Sequence, residues 1–309
     1  AAVSAAFDPT VQGGLGLKTR IITAAVGLVV LAVVMFFFNT PVFEIVIALI
    51  TLIAIHEIYT AFDLGKNEKH VYGVFVPYTF LVMFSGYPAI KVVLVPLSFL
   101  FMLYLAICVI WHNQTLSVAK LGGMASFSAL VLVSFYALVF IKNRLPMDRY
   151  GYEAIYLIML ALAFAWGGDS AAYFAGRFFG RHKLAPVVSP HKTVEGAIGG
   201  VLGSGLLGVL CTVIARGLTG WTAIEGSHAA AGYLAGELFG YLPIFLLGMV
   251  CSVLGILGDL FASAVKRQCS IKDYGAIFPG HGGILDRFDS VLFIAPVMAI
   301  SVWFATTFL

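Results

Sequence analysis

Eight charged side chains fall between Asp259 and Asp289, in a chain of 309 residues that holds only 18 basic and 15 acidic ones. They are Asp259, Lys266, Arg267, Lys272, Asp273, Asp286, Arg287 and Asp289. If the first part of this stretch is helical, Asp259, Ser263, Lys266 and Arg267 share one face. That face is a poor surface for lipid and a good wall for a polar site. Lys266 and Arg267 alone would read as anchors whose apolar stems reach along the membrane edge. Asp259 does not fit that reading, because it lies about two turns deeper among apolar residues. Next, Pro279-Gly280-His281-Gly282-Gly283 can form an irregular backbone whose amides approach an anion closely. Asp286 and Asp289 follow at i and i+3, close enough to share a cation. Acidic residues also favour helix starts, which would account for one aspartate but not for the set Asp286-Arg287-x-Asp289.

Carboxylates and cations in one place suit phosphate-transfer chemistry. Hard oxygen ligands hold magnesium, which keeps several waters and bridges substrate phosphates. Lys and Arg neutralise a polyphosphate as it leaves. Carboxylates on two separate helices also allow a pair of cations. His281 has two readings, a base or a residue that contacts phosphate and orders the loop.

The elements that must position these groups are membrane helices. A mean hydropathy of +1.01, with 61% hydrophobic and 11% charged residues, excludes an ordinary soluble domain. The small net charge of +3 gives no argument for nucleic acid. Apolar runs predict an all-α polytopic bundle of about nine spans, near 20–38, 42–63, 71–86, 90–111, 119–141, 153–178, 197–215, 237–262 and 291–309. Residues 1–17 read as a leader or mobile tail, 18–150 as the N-terminal helices and 151–309 as the catalytic region. The four cysteines, Cys108, Cys211, Cys251 and Cys269, have no paired spacing and read as reduced structural residues. Gly176 and Gly180, Gly196 and Gly200, and Gly199 and Gly203 lie four apart, as close helix packing in lipid requires.

A second constellation runs from Asp169 and Tyr173 through Arg177, Arg181, His182 and Lys183 to Ser189-Pro190-His191-Lys192-Thr193-Val194-Glu195-Gly196. Ser189, Pro190 and Thr193 are ordinary helix-start chemistry. Asp169, buried in an apolar run, and Lys192 are left over and point to the same site. His56 and Glu57, inside the second span, are expected either to touch that site or to form an internal hydrogen-bonded pair.

The two constellations together resemble the phosphatidate cytidylyltransferases, the integral-membrane CDP-diacylglycerol synthases. Ser263-x-x-Lys266-Arg267, Lys272-Asp273-x-Gly275 and Pro279-Gly280-His281-Gly282-Gly283-x-x-Asp286-Arg287-x-Asp289 carry the resemblance, and residues 168–200 support it. The pattern departs at His191, where Lys is usual, and at Val194, where Trp is common. The resemblance is strong from residue 160 onward and covers residues 18–309 in hydropathy. It implies a multi-pass enzyme of the bacterial inner membrane, which converts CTP and phosphatidic acid into CDP-diacylglycerol and pyrophosphate. It implies a homodimer embedded in membrane lipid, and Mg2+, with room for a second cation. It assigns cation binding to Asp259, Asp286 and Asp289, with Ser263, Lys266, Arg267, Lys272, Asp273, His281 and Arg287 as further catalytic positions. Asp169, Lys192, Glu195, Gly282 and Gly283 would bind substrate. A CTP-dependent lipid kinase would use similar parts, and an ion-coupled transporter is a more distant alternative.

The positive-inside rule fixes an orientation. With the N-terminus in the cytoplasm, 13 of the 18 basic residues lie on that side, and so do residues 180–195 and 263–290. A cysteine placed at Gln268, with native Cys269 removed, should react with an impermeant thiol reagent only from the cytoplasmic side. Labelling from outside intact cells would contradict the orientation.

Overall fold

The computed structural model describes residues 9–64, 69–112, 114, 116–219, 240–278 and 282–308. Helix α1 covers Pro9–Phe36, α2 Val42–Ala61, α3 Lys69–Met83, α4 Pro88–Trp111 and α5 Val118–Arg144. A single turn, α6 (Met147–Tyr150), leads into α7 (Glu153–Leu162). A π turn over Ala163–Gly167 joins α7 to α8 (Gly168–Phe179) without a break. After a short hairpin come α9 (Val194–Thr219), α10 (Tyr241–Gln268), the one-turn α11 (Leu285–Phe288) and α12 (Val291–Phe308).

Helix dominates because a backbone in lipid must satisfy its own hydrogen bonds. Among the described residues, seven helical stretches are long and apolar enough to cross a membrane. The expectation of about nine spans is therefore approximate. Helix α3 has only 15 residues, and α1 contributes the shorter apolar stretch Ile22–Phe36. Helix α1 begins at Pro9, so residues 9–17, expected in a leader or tail, continue the first helix. The mild polar connection expected over 216–236 lies mostly outside the described residues.

Helices α2, α5 and α12 form the inner core, where Phe43, Ile55, Ile58, Phe135, Ile141 and Met298 are almost wholly buried. The Ser134 hydroxyl donates to the Leu292 carbonyl at 2.5 Å and ties α5 to α12. At the far end of the bundle, Lys142 donates to Glu44 at 2.6 Å and to the Thr40 carbonyl at 2.7 Å. Helix α4, by contrast, turns Val92, Val95, Phe99 and Met102 outward, as a lipid-facing helix should.

Between α8 and α9, where Ser189, Pro190 and Thr193 read as a helix start, the chain folds into a hairpin of β1 (Lys183–Ala185) and β2 (Ser189–Thr193). Lys183 stands opposite Thr193, and Ala185 opposite Ser189. The Thr193 hydroxyl then accepts from the Gly196 amide at 3.1 Å and caps α9.

Helices α8 and α9 meet through small residues, as the glycine spacing predicts. Methyl groups added at Gly199, Gly200 and Gly203 would run into Ala175, Ala172 and Ala171, respectively. Replacing Gly203 by Val should therefore lower stability by about 1–3 kcal/mol through overpacking. Gly122→Ala, with nothing within 4 Å of the new methyl, should leave the melting temperature in detergent unchanged. Equal melting of the two variants would contradict this packing.

Candidate active site

The charged stretch builds its site from the inner end of α10 outward. Asp259, Ser263, Lys266 and Arg267 do share a face of that helix. The Ser263 hydroxyl donates to Asp259 Oδ1 at 3.3 Å. The other Asp259 oxygen is ion-paired with Lys192, from the hairpin. Arg267 Nε donates to the Val188 carbonyl at 3.4 Å, at the hairpin's turn. The two polar segments that the sequence placed on one side of the membrane thus touch each other.

Asp286 is the hub of the second half. Its Oδ1 accepts from Lys266 Nζ at 2.8 Å, and the carboxylate is 3% exposed, so this pair is largely withdrawn from water. Its Oδ2 accepts from the Tyr274 and Gly283 amides, both at 2.9 Å. Lys266 also stands 5.5 Å from the centre of the Tyr274 ring, and the Tyr274 hydroxyl donates to the Ala262 carbonyl at 2.8 Å. The resemblance implies a cation ligand at Asp286. In the structure its oxygens accept from Lys266 and from two loop amides.

Glu57 supports the same loop from α2. Its two oxygens accept from the Ile284 and Leu285 amides at 2.9 Å each and so satisfy the start of α11. Gly275 and Gly283 leave room for this carboxylate, since a Cβ at either would collide with it. Of the two expectations for His56 and Glu57, Glu57 meets the site, whereas His56 packs its ring against Tyr59 and Tyr72. The signal for Glu57 was a carboxylate inside an apolar helix.

The remaining carboxylates converge. Ser290 links two of them, donating its amide to Asp289 Oδ1 at 2.9 Å and its hydroxyl to Asp169 Oδ2 at 3.0 Å. Loss of hydration, and then the neighbouring Asp259 and Asp169 carboxylates, push the Asp289 carboxyl above the usual carboxylate range. Gly258 permits this convergence, because a side chain there would strike the Asp289 carbonyl. The π turn contributes as well, since Trp166 within it donates Nε1 to the Arg287 carbonyl at 3.1 Å. Such π turns recur at functional sites.

Among the described residues, no three His, Cys, Asp or Glu side chains form a ready-made metal cage. Magnesium does not demand one, since it commonly takes one or two carboxylates together with substrate phosphates and water. The mutual repulsion of Asp169, Asp259 and Asp289 fits that kind of ion.

Other expected positions are spread more widely. Lys272 and Asp273 are exposed on the loop after α10. Arg287 is exposed, with its charge felt at Asp169. Gly282 takes a φ of +83°, which glycine tolerates, and its carbonyl accepts from the Phe278 amide at 3.0 Å. Glu195 is not brought to the carboxylate cluster. It accepts from the Arg181 amide at 3.0 Å and pairs with His182 Nδ1 at 2.6 Å, fastening the base of the hairpin. His281 lies outside the described residues.

The comparison with known proteins decides the family. The cytidylyltransferase family model matches residues 18–305. The chain belongs to the cytidylyltransferase family. The phosphatidate cytidylyltransferase of Thermotoga maritima is 32% identical over 290 residues, covering 92% of this chain and 95% of that protein. The Bacillus subtilis phosphatidate cytidylyltransferase is 34% identical over 186 residues, 60% of each chain. That of Rickettsia felis is 38% identical over 143 residues, 46% of this chain and 57% of the relative. The match therefore spans little more than half of the latter two relatives and nearly the whole of the first. The hub at Asp286 makes a direct prediction. Asp286→Asn should cost about 3 kcal/mol by leaving Lys266 unpaired. Asp259→Asn should melt close to the parent, because Asp259 and its partner Lys192 are both partly solvated. Melting in detergent checks both, and a fully stable Asp286→Asn would contradict the hub.

Proposed function

We propose that this protein transfers a cytidylyl group from CTP to phosphatidic acid, giving CDP-diacylglycerol and pyrophosphate. The observation that carries the reading is the meeting of Asp169, Asp259 and Asp289, from three separate segments, with Lys192 and Lys266 at one end of an apolar bundle. The likeness to the Thermotoga maritima phosphatidate cytidylyltransferase, which extends over nearly the full length of that protein, supports it.

A phosphate oxygen of phosphatidic acid attacks the α-phosphorus of CTP, a new P–O bond forms, and the bond to the β-phosphate breaks. The attacking oxygen is already ionised at neutral pH, so the protein needs no strong base. Its task is to position two anions and offset their repulsion. Asp259 and Asp289 would hold Mg2+, which would neutralise the triphosphate and polarise the α-phosphate. Lys192, now paired with Asp259, would gain a phosphate partner as Asp259 gains the cation. Arg267, Lys272 and Arg287, exposed at the same end, would hold the remaining phosphate oxygens. Lys266, fixed by Asp286, keeps its charge close to the carboxylates and orients the field of the site.

The site opens to the cytoplasm in this reading, because CTP is a charged solute of that compartment. Phosphatidic acid arrives laterally, with its acyl chains still in the bilayer. The assembly is a homodimer in the bacterial inner membrane.

Purified protein given CTP, phosphatidic acid and magnesium should release pyrophosphate and CDP-diacylglycerol in equal amounts. Release of CDP with a newly phosphorylated lipid would instead identify a kinase and refute the transfer. EDTA should abolish turnover and excess magnesium should restore it, whereas full activity in chelator would refute the metal assignment. Asp259→Asn and Asp289→Asn should each cut the rate at least 100-fold, on the order of 3 kcal/mol of transition-state stabilisation.

A further inference from the structure

We propose that the β1–β2 hairpin is a membrane-docking element whose apolar tip enters the headgroup layer and whose cations hold an anionic lipid surface. The tip is Pro186-Val187-Val188, and Val187 is 89% exposed, more than any other large hydrophobic side chain described. No acidic residue occurs between Ser170 and Val194, while Arg177, Arg181, Lys183 and His191 are all exposed there. An exposed valine tip flanked by cations and lacking carboxylates is complementary to a negatively charged bilayer surface.

The chain geometry keeps this tip near the membrane. Helix α8 ends in Phe178 and Phe179, 72% and 69% exposed, aromatic residues of the kind that mark the lipid–water boundary. Helix α9 re-enters at Val194, whose amide donates to the His182 carbonyl at 2.9 Å and closes the excursion at its base. An arm of three residues, Lys183–Ala185, reaches only about 10 Å, comparable with the roughly 5–8 Å headgroup layer on each side of a bilayer. The tip is also tied to the active site, because the Val188 carbonyl accepts from Arg267 and the same hairpin supplies Lys192 to Asp259. Docking would therefore hold Lys192 and Arg267 at the depth of a lipid phosphate. That last link to substrate loading rests on the reaction proposed above, whereas the docking itself does not.

The test places an environment-sensitive fluorophore on Val187→Cys, in a chain whose four native cysteines are replaced by serine, and reconstitutes it in vesicles containing phosphatidylglycerol. The emission should be blue-shifted and quenched by lipids that carry nitroxides high on their acyl chains. Replacing phosphatidylglycerol by phosphatidylcholine, or Arg181 and Lys183 by Gln, should weaken the quenching. Water-like emission would overturn the proposal. So would a blue shift that lipid nitroxides fail to quench, which would mean that a second copy of the chain covers the tip. As a functional arm, Val187→Asp should raise the KM for bilayer phosphatidic acid about tenfold, while leaving the KM for CTP unchanged. Unchanged use of bilayer substrate would overturn the role in loading. The fluorescence needs no turnover, so a chain that docks but makes no CDP-diacylglycerol would refute the reaction and leave the docking standing.

Discussion

Four backbone amides, those of Tyr274, Gly283, Ile284 and Leu285, are held by two buried carboxylates, Asp286 and Glu57. The rest of the site depends on this arrangement. An irregular, glycine-containing segment beside the bilayer has no ladder to satisfy its donors, and buried donors left unpaired are costly. Carboxylates are the strongest acceptors available for the task. Burying them carries its own cost, which Lys266 offsets for Asp286 and the paired amides offset for Glu57.

Once that segment is pinned, the start of α12 is fixed against α10 and α8. Gly258 lets the Asp289 backbone approach α10, and Ser290 reaches Asp169. Three carboxylates are then brought near one another, with Asp169 exposed and Asp259 partly solvated, and they repel each other. Lys192 relieves part of it from the hairpin. Such a set of like charges suits the cation of the proposed reaction and the anions that a cation brings. In the reaction proposed above, the same charges that would destabilise a simple membrane bundle would bind the nucleotide.

Much of this arrangement was legible in the residues. Hydropathy located the helices, and the i, i+4, i+7 and i+8 spacing of Asp259, Ser263, Lys266 and Arg267 placed them on one face. The four-residue glycine spacing located the α8–α9 contact. What spacing left open was which carboxylate serves which purpose, because Asp286 and Asp289 look alike in sequence and differ only in what surrounds them. Glu57 lies more than 200 residues from the amides it holds, and no local pattern connects them. The hairpin was hidden for a different reason. Ser189, Pro190 and Thr193 resemble a helix start, and only the pairing of Lys183 with Thr193 makes them a strand.

The central claim is that Asp286 and Glu57 hold the loop in place before any substrate is bound. Hydrogen exchange resolved to residues 274–285 tests it most directly. In the parent protein without CTP, the Tyr274, Gly283, Ile284 and Leu285 amides should exchange slowly. Asp286→Asn should release mainly Tyr274 and Gly283, and Glu57→Gln mainly Ile284 and Leu285. Fast exchange at all four amides in the parent, or protection unaltered by either substitution, would contradict the account.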